Sequence, residues 1–217
     1  MPNTATSDST EVTVRRVVDD FLNTLLEEKS EHFVRNLIIN RESFESRDFD
    51  QTPEAFTEQF LIYKLLDILG FRYKKQSAAF GGSGEHYPDF KLKDTDDIGV
   101  IGENKPINEW DEAPPQVDHY LDKKSVGAEY GIATDGMVWS LHRFNEGSDK
   151  EKAQRRERVD LQPVFLDVAR EMGIIPPDHE PEFADPGEKL EKFIEWFQSD
   201  NFQGKISSQI PKWIREE

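Results

Sequence analysis

The apolar residues of the first fifty positions recur at helical spacing. From Glu11 to Glu28 they repeat with the period of a helix that buries one side, and a second helical stretch follows up to Ile38. Residues 1–10 are small and polar, which predicts disorder. The charged segment from Arg41 to Gln51 has no such period, and we predict a linker there.

A third helix is predicted between Pro53 and Leu69, where the chain carries signals for both ends. Thr52 is a favourable N-cap, proline is favoured at the first helical position, and Gly70 is a typical stop residue. The apolar residues in between form a broad face that we expect to be buried.

Beyond Gly70 the pattern changes to one that is typical of strands. The predicted strands are Phe71–Gln76, Tyr87–Leu92, Gly99–Lys105, Glu129–Thr134 and Met137–Arg143. A glycine-rich loop, Ala78–Gly84, separates the first two strands, and Asp135-Gly136 is a strong hairpin signal between the last two. A helix is predicted over Pro114–Leu121.

The C-terminal part of the chain is predicted to be helical. The charged stretch from Asn145 to Arg158 is predicted to be a connection, followed by helices near Leu161–Met172 and Pro186–Gln198. The order helix, three strands, helix, two strands predicts the α/β class, with helices packed on a mixed sheet. We expect a core over residues 51–145. A helical extension over 1–50, with a disordered start, would precede it, and another over 146–217 would follow.

Composition indicates a folded protein with a highly charged surface. Only 35% of the 217 residues are hydrophobic and 33% are charged, but fifteen Phe, five Tyr and four Trp require substantial burial. The absence of cysteine excludes disulfides and thiolate chemistry and is typical of a cytoplasmic protein. No apolar run is long enough to span a membrane, and the polar start has no signal-peptide core. We expect a cytoplasmic protein without a membrane partner.

The net charge of −17 has two interpretations. A protein this acidic should repel nucleic acid. The alternative is a surface adapted to a very salty cytoplasm, as in halophilic organisms, because at about 1 M salt the Debye length falls to about 3 Å. A few local cations can then still hold a phosphate. The candidate phosphate contacts are Lys74-Lys75, Lys91, Lys93, Lys123-Lys124 and the run Arg155–Arg158.

Three residues on two neighbouring predicted strands carry the candidate chemistry. Asp89 follows a proline on one strand, and Glu103 and Lys105 end the next. Since side chains alternate between the faces of a strand, Glu103 and Lys105 share one face and Asn104 points to the other. If the strands pair as a hairpin, Asp89 comes close to Glu103.

This pair of carboxylates predicts a metal site. Adjacent carboxylates repel each other, and a divalent cation removes that cost; oxygen ligands suit Mg²⁺ or Mn²⁺ better than zinc. Such an ion binds a phosphate oxygen and lowers the pKa of a bound water, while Lys105 orients or deprotonates the water or stabilises transition-state charge. The spacing favours phosphodiester hydrolysis. The alternative is that Asp89 and Glu103 are ordinary solvent-facing carboxylates.

Motifs between residues 53 and 143 carry a family resemblance. They are Glu54-Ala-Phe-Thr57 with the helix ending Leu69-Gly70-Phe71, Tyr87-Pro88-Asp89-Phe90, Val100-Ile-Gly-Glu103-Asn-Lys105-Pro106, and Gln116-Val-Asp-His-Tyr120 followed by Tyr130–Leu141. In this order they resemble the N-terminal nuclease domain of type I restriction endonuclease R subunits and of type IIG restriction–modification enzymes, in the PD-(D/E)xK superfamily. The resemblance implies a restriction-endonuclease-like core and a Mg²⁺-dependent deoxyribonuclease.

The resemblance also implies a role for each residue of the site. Asp89 and Glu103 would hold the metal, and Lys105 would be the catalytic lysine. Glu54 would be the helix carboxylate that helps the metal site, directly or through water, and Glu58, one turn further along, is an alternative. A purely structural interpretation is that Glu54 only favours the helix N-terminus.

Gln116 and Tyr120, one turn apart, would face the same site and contact DNA or position its groups. The alternative is a core tyrosine and a capping or solvent glutamine. Trp139 is interpreted as a core anchor rather than a base-stacking platform. The resemblance gives no role to His86 or His119.

The sequence departs from the family in two respects. Position 58 is glutamate where a basic residue is expected, and the chain has no Walker-type loop and no methyltransferase motif. We expect a DNA endonuclease that stands alone, is a subunit of a restriction or defence system, or is a fragment of a longer product. Its partners would be DNA and a second copy, or a helicase, methyltransferase or specificity subunit. Two alternatives are open: a catalytically silent DNA- or protein-binding module on the same fold, and a DNA-repair nuclease.

Overall fold

The structure is a computed structural model that describes residues 4–45, 50–75, 87–93, 95, 98–122, 126–144, 154–176 and 184–208. Three features named from the sequence lie outside these residues: the Ala78–Gly84 loop, His86 and the Lys123-Lys124 pair.

A six-stranded sheet forms the centre of the fold, with its strands in chain order. The strands are β1 (Tyr73–Lys75), β2 (Phe90–Leu92), β3 (Val100–Asn104), β4 (Tyr130–Thr134), β5 (Val138–Arg143) and β6 (Gln154–Asp160). Neighbours are antiparallel except β3 and β4, which are parallel. A parallel pair requires a crossover, which a helix between β3 and β4 provides. The predicted α/β class with a mixed sheet is confirmed.

Helices cover both faces of this sheet. They are α1 (Thr4–Glu28), α2 (Glu31–Ile39), α3 (Pro53–Thr57, Glu58–Ile62 and Tyr63–Ile68 in succession), α4 (Ala113–Asp122), α5 (Gln162–Glu171), α6 (Pro186–Phe197) and α7 (Ser199–Ser208). The middle segment of α3 is π-helical. α1 begins at Thr4 rather than Glu11, inside the stretch for which the sequence predicts disorder.

The predicted ends of α3 are confirmed. The Thr52 hydroxyl accepts a hydrogen bond from the backbone nitrogen of Ala55 at 3.2 Å, and Pro53 is the first helical residue. Gly70 follows the helix with a φ of +81°, a conformation that favours glycine. Local capping chemistry therefore sets both limits of the helix that carries Glu54.

The predicted hairpin at Asp135-Gly136 is also confirmed, and it joins β4 to β5. Asp135 Oδ1 accepts hydrogen bonds from the backbone nitrogens of Met137 at 3.0 Å and Val138 at 2.6 Å. Gly136 has a φ of +84°, and a Cβ at this position would collide with Leu61. The turn is thus pressed directly against α3, which fixes that helix over the sheet.

Strand β6 is a correction, because the sequence predicts a connection up to Arg158. The strand pairs along β5, with Ser140 opposite Arg158, and forms one edge of the sheet. The strand covers Gln154–Asp160, and among its described side chains, those of residues 157–160, Val159 enters the core. Charged side chains are common on edge strands because they discourage further pairing. One core residue among these four side chains gives no alternation that sequence patterning can detect.

Helix α7 is also absent from the prediction. Its buried apolar residues are Phe202 and Ile206, and the Phe202 ring lies edge-on to Phe71 at a centroid distance of 5.3 Å. Two apolar positions give too weak a periodic signal to predict a helix. Packing against the rest of the core stabilises it instead.

The two faces of the sheet are covered unequally. On one face α1, α3, α5, α6 and α7 share a single large core, in which Trp139 packs against Phe193 and Phe197 as a core anchor. On the other face α4 packs across β3, β4 and β5. A Cβ at Gly131 would collide with Val117, so glycine allows α4 to approach β4 closely. The expected boundaries near residues 50 and 145 stay a prediction.

Candidate active site

The pairing of β2 with β3 brings Asp89 to Glu103. Phe90 lies opposite Gly102 and Lys91 opposite Ile101, so the next antiparallel position places Asp89 opposite Glu103. The Phe90 ring occupies the space that a Cβ at Gly102 would need. This contact fixes the register, and a shift by one residue would turn the carboxylates to opposite faces.

Helix α3 brings two further carboxylates to Asp89. One oxygen atom from each of Glu54, Glu58 and Asp89 lies within 4.8 Å of the others. Among the residues that the structure describes, this is the one group of side chains with metal-ligand spacing. Glu58, considered from the sequence as an alternative to Glu54, therefore lies beside it. Glu54 and Glu58 both lie on α3. The π-helical segment of this helix begins at Glu58, and such segments are frequent at functional sites.

Glu103 lies next to this group and is held by Lys105. Lys105 Nζ lies 2.8 Å from Glu103 Oε1, and both side chains are buried. The Gln116 amide lies between them. In the orientation that satisfies both groups, its oxygen lies 3.2 Å from Lys105 Nζ and its nitrogen donates to Glu103 Oε1. The second oxygen, Glu103 Oε2, is buried and has no hydrogen-bond partner.

Two residues that the sequence analysis did not assign to the site, Asn104 and Tyr63, position the acids. The Asn104 side-chain amide donates to Glu58 Oε1 at 2.6 Å, and the Tyr63 hydroxyl donates to the same oxygen at 3.0 Å. The Asn104 backbone nitrogen donates to Asp89 Oδ2 at 2.7 Å. Alternation correctly predicts that the Asn104 side chain points away from Glu103, but only the packing of α3 on that face gives it a partner.

The electrostatics of the site reflect crowded negative charge in a partly buried space. Burial, followed by the neighbouring Glu103, raises the pKa of Asp89 to about 7. Burial also raises the pKa of Glu103 and that of Glu54, the latter with a contribution from Asp89. For Lys105, burial lowers the pKa, but the hydrogen bond and charge of Glu103 outweigh it, so the pKa is raised overall.

The residues present fit a hard divalent cation. Glu54, Glu58 and Asp89 converge, and the adjacent Glu103 is hydrogen-bonded to Lys105. The buried Glu103 Oε2 lacks a partner, which is costly for a carboxylate oxygen. All the donor atoms are oxygens, the ligand type that Mg²⁺ and Mn²⁺ prefer. The donor set therefore suits the metal expected from the sequence.

Three residues of α4 named from the sequence, Gln116, His119 and Tyr120, differ in whether they face the site. Tyr120 is buried, and its pKa is raised by burial and then by Glu103, which places its phenol near the carboxylates. Gln116 contacts Lys105, so both residues of this helical pair face the site. His119 is exposed on α4 and lines a cavity of about 380 Å³ together with Pro115, Gln116 and Tyr120.

A Ser-His-Asp chain lies near the site, but its burial gives it a structural role. Ser140 Oγ lies 2.9 Å from His142 Nε2, and His142 Nδ1 lies 2.8 Å from Asp118 Oδ1. The Ser140 side chain is 0% exposed, so no substrate can reach it. These hydrogen bonds instead link Asp118 of α4 to β5, which fixes the helix that carries Gln116 and Tyr120.

A cavity of about 420 Å³ opens beside the carboxylates. It is lined by Phe44, Thr52, Pro53, Glu54, Ala55, Glu58, Pro106 and Glu109. Glu54 and Glu58 thus reach solvent-accessible space from the start of α3.

Fold and site together define an α/β protein with clustered carboxylates and a lysine at two adjacent strands of a mixed sheet. Over 112 residues the chain is 31% identical to a protein of Methanocaldococcus jannaschii that carries the provisional name of a type II restriction enzyme and methyltransferase. The match covers 49% of this chain but only 9% of that relative. It supports a relationship to restriction enzymes.

No family model matches the chain, and no solved structure matches it. Among the described residues, no helix is long and apolar enough to cross a membrane.

Proposed function

We propose that this chain is a Mg²⁺-dependent DNA endonuclease of the PD-(D/E)xK type that belongs to a restriction or defence system. The observation that carries the proposal is the meeting of Glu54, Glu58 and Asp89 within 4.8 Å, beside the Glu103–Lys105 pair. Mn²⁺ would substitute for Mg²⁺ at the same oxygens. The name of the archaeal relative gives independent support for restriction.

Each side chain has a distinct task in this proposal. Asp89, Glu103 and Glu54 hold the metal in this proposal, and Glu58 is added as a further ligand because it lies within 4.8 Å of Glu54 and Asp89. When bound, the ion supplies positive charge to a phosphate oxygen and a water of lowered pKa. Because these ligands are already in place, the site does not have to reorganise when the phosphodiester binds.

Lys105 acts as an electrostatic stabiliser rather than as a base. In the metal-free protein the hydrogen bond and charge of Glu103, with the charges of Glu54 and Asp89, raise its pKa and favour the ammonium form. It lies 2.8 Å from Glu103 Oε1, where it can turn toward a phosphate that arrives at the metal. Gln116 positions both Lys105 and Glu103 through its amide.

The wider context is part of the same proposal. The substrate is DNA, and cleavage of both strands requires two sites, supplied by a second copy or by a partner such as a helicase, methyltransferase or specificity subunit. The protein acts in the cytoplasm, and its charge of −17 suits high salt, as in halophilic organisms.

The test is a cleavage assay on supercoiled and linear DNA in high KCl, with Mg²⁺, Mn²⁺ or EDTA. The wild type is compared with Asp89→Ala and Lys105→Ala. Two control variants, Glu27→Ala and Lys64→Ala, remove exposed charges of the same kind on α1 and α3.

Metal-dependent cleavage that both site variants abolish and both control variants retain supports the proposal. Wild-type protein that neither cleaves in any metal nor binds Mg²⁺ by calorimetry overturns it and leaves a binding module on the same fold. Mg²⁺ binding without cleavage points to a missing partner subunit.

A further inference from the structure

The strand register shows which side chains share the sheet face with the candidate active site. Asp89 and Glu103 lie on the face that α4 covers, because Ile101, two residues before Glu103, packs against α4. Lys91 is two residues after Asp89 and therefore points to the same face. Lys74 lies directly opposite Lys91 on β1 and shares that face as well.

The described residues cover only part of this face. α4 packs across β3, β4 and β5, whereas the side chains of Lys74 and Lys91 on β1 and β2 are exposed. A strand advances about 3.3–3.4 Å per residue, so Lys91 lies roughly 7 Å along β2 from Asp89. The uncovered part of the sheet thus continues directly from the carboxylates.

Two lysines directly opposite each other on neighbouring strands are unfavourable without an anion. The protein carries 44 acidic residues, yet within the described residues neither Lys74 nor Lys91 forms an ion pair. Other described basic residues do form ion pairs, as Arg15 does with Asp167. The isolation of this pair therefore suits an anion that is not part of the protein.

The neighbouring Lys75 is excluded from this surface. It points to the opposite face, where its Nζ lies 3.5 Å from the centroid of the Tyr63 ring. The aromatic side chains of the two strands, Tyr73 and Phe90, also point to the opposite face, into the core. Single-stranded nucleic acid is usually bound through exposed aromatic rings. Among the described residues of β1 and β2 no aromatic ring lies on the lysine face, and the exposed ring near it is the single Tyr87, before β2.

We propose that Lys74 and Lys91 bind the sugar-phosphate backbone of duplex DNA and guide it across β1 and β2 to Asp89 and Glu103. The inference rests on the proposed function and adds the path of its substrate. The roughly 7 Å between Lys91 and Asp89 spans at most two nucleotides of one DNA strand, because each nucleotide advances the strand by at least its ~3.4 Å axial rise. The backbone held by Lys91 therefore places a phosphodiester bond near the metal site.

The test measures the affinity of a fluorescent DNA duplex for the full chain over a range of KCl concentrations, in EDTA so that no cleavage occurs. Lys74→Gln/Lys91→Gln is compared with the wild type. The matched control is Arg16→Gln/Lys64→Gln, which removes the same charge from exposed positions on α1 and α3, on the other side of the sheet. Lys74→Arg/Lys91→Arg tests whether charge alone restores binding.

Each phosphate contact contributes about 0.9 to the slope of log affinity against log salt on duplex DNA. We expect the Lys74→Gln/Lys91→Gln variant to lose about 1.8 from this slope, to bind more weakly, and to melt no lower than the wild type. The control should keep the wild-type slope, and the arginine variant should restore it.

A wild-type slope in the Lys74→Gln/Lys91→Gln variant overturns this path while the nuclease proposal stands, provided that the wild type still cleaves. A slope that falls equally in both glutamine variants also overturns it, since net charge alone then explains binding. If the wild type binds a fluorescent single strand more tightly than the duplex, and Lys74→Gln/Lys91→Gln loses that preference, the stated substrate is contradicted. Wild-type protein that neither binds nor cleaves DNA rejects both proposals together.

Discussion

The crowding of carboxylates makes a quantitative prediction for Asp89→Asn. The substitution keeps the shape of the side chain and an oxygen that can accept from the Asn104 backbone nitrogen, now 2.7 Å from Asp89 Oδ2. It removes the charge that burial and Glu103 disfavour. Without metal, the variant should therefore be more stable than the wild type, although it has lost a metal ligand.

The size of the effect follows from the pKa. Asp89 has a pKa of about 7 in the folded protein against a usual value of 3.8. At 1.36 kcal/mol per unit, the ionised carboxylate costs at most about 4 kcal/mol at about pH 8. Partial exposure and coupling to Glu103 reduce this, so we expect a gain of about 1–3 kcal/mol. For a chain of this size that corresponds to a rise of roughly 2–12 °C in the melting temperature.

The sign of the pH dependence is fixed by the direction of the shift. A carboxyl whose folded pKa is raised destabilises the protein progressively as pH rises from its unfolded pKa to its folded pKa. The advantage of Asp89→Asn should thus be largest above about pH 7 and absent below about pH 4. Thermal unfolding in EDTA at several pH values measures this. Asp111→Asn is the control, at an exposed residue of the short 3₁₀ helix Trp110–Glu112 that precedes α4, with an expected change within about 0.5 kcal/mol.

Saturating Mg²⁺ should reverse the order. It stabilises the wild type by mass action, and it should stabilise Asp89→Asn much less because a ligand is missing. A variant that is less stable than the wild type at about pH 8 in EDTA would refute the reasoning. So would a gain that is the same at about pH 4, because the crowded carboxylates would then not be its cause.

Two further predictions concern the groups that hold the site in place. Gly102→Ala forces a methyl group into the space of the Phe90 ring and should cost about 1–3 kcal/mol in urea unfolding and reduce cleavage. Gly204→Ala, at an exposed position of α7 with no atom within 4 Å of the new methyl group, should instead be neutral or stabilising by up to about 1 kcal/mol. Equal losses at both glycines would contradict the argument. Tyr63→Phe removes the hydroxyl that donates to Glu58 and should weaken apparent Mg²⁺ affinity about 10- to 100-fold in a cleavage titration. An unchanged Mg²⁺ dependence would remove Glu58 from the metal site.

Local signals were sufficient for several elements of the fold. The limits of α3 and the Asp135-Gly136 hairpin depend on residues adjacent in sequence, so they could be predicted without knowledge of the tertiary structure. The edge strand β6 and helix α7 could not, because their described side chains include only one or two core residues each and depend on distant partners.

For the candidate site, the sequence by itself determined that Asp89, Glu103 and Lys105 lie on two neighbouring strands and share a face. Alternation along a strand places Glu103 and Lys105 on one face, and the antiparallel pairing of β2 with β3 places Asp89 opposite Glu103. Only the tertiary structure decided that Glu58 joins Glu54, held by Asn104 and Tyr63, because that depends on how α3 packs on the opposite strand face. The tertiary structure also decided that Lys74 on β1 and Lys91 on β2 are exposed. Periodicity tells which side chains share a face, but which part of that face a helix covers is set by long-range packing.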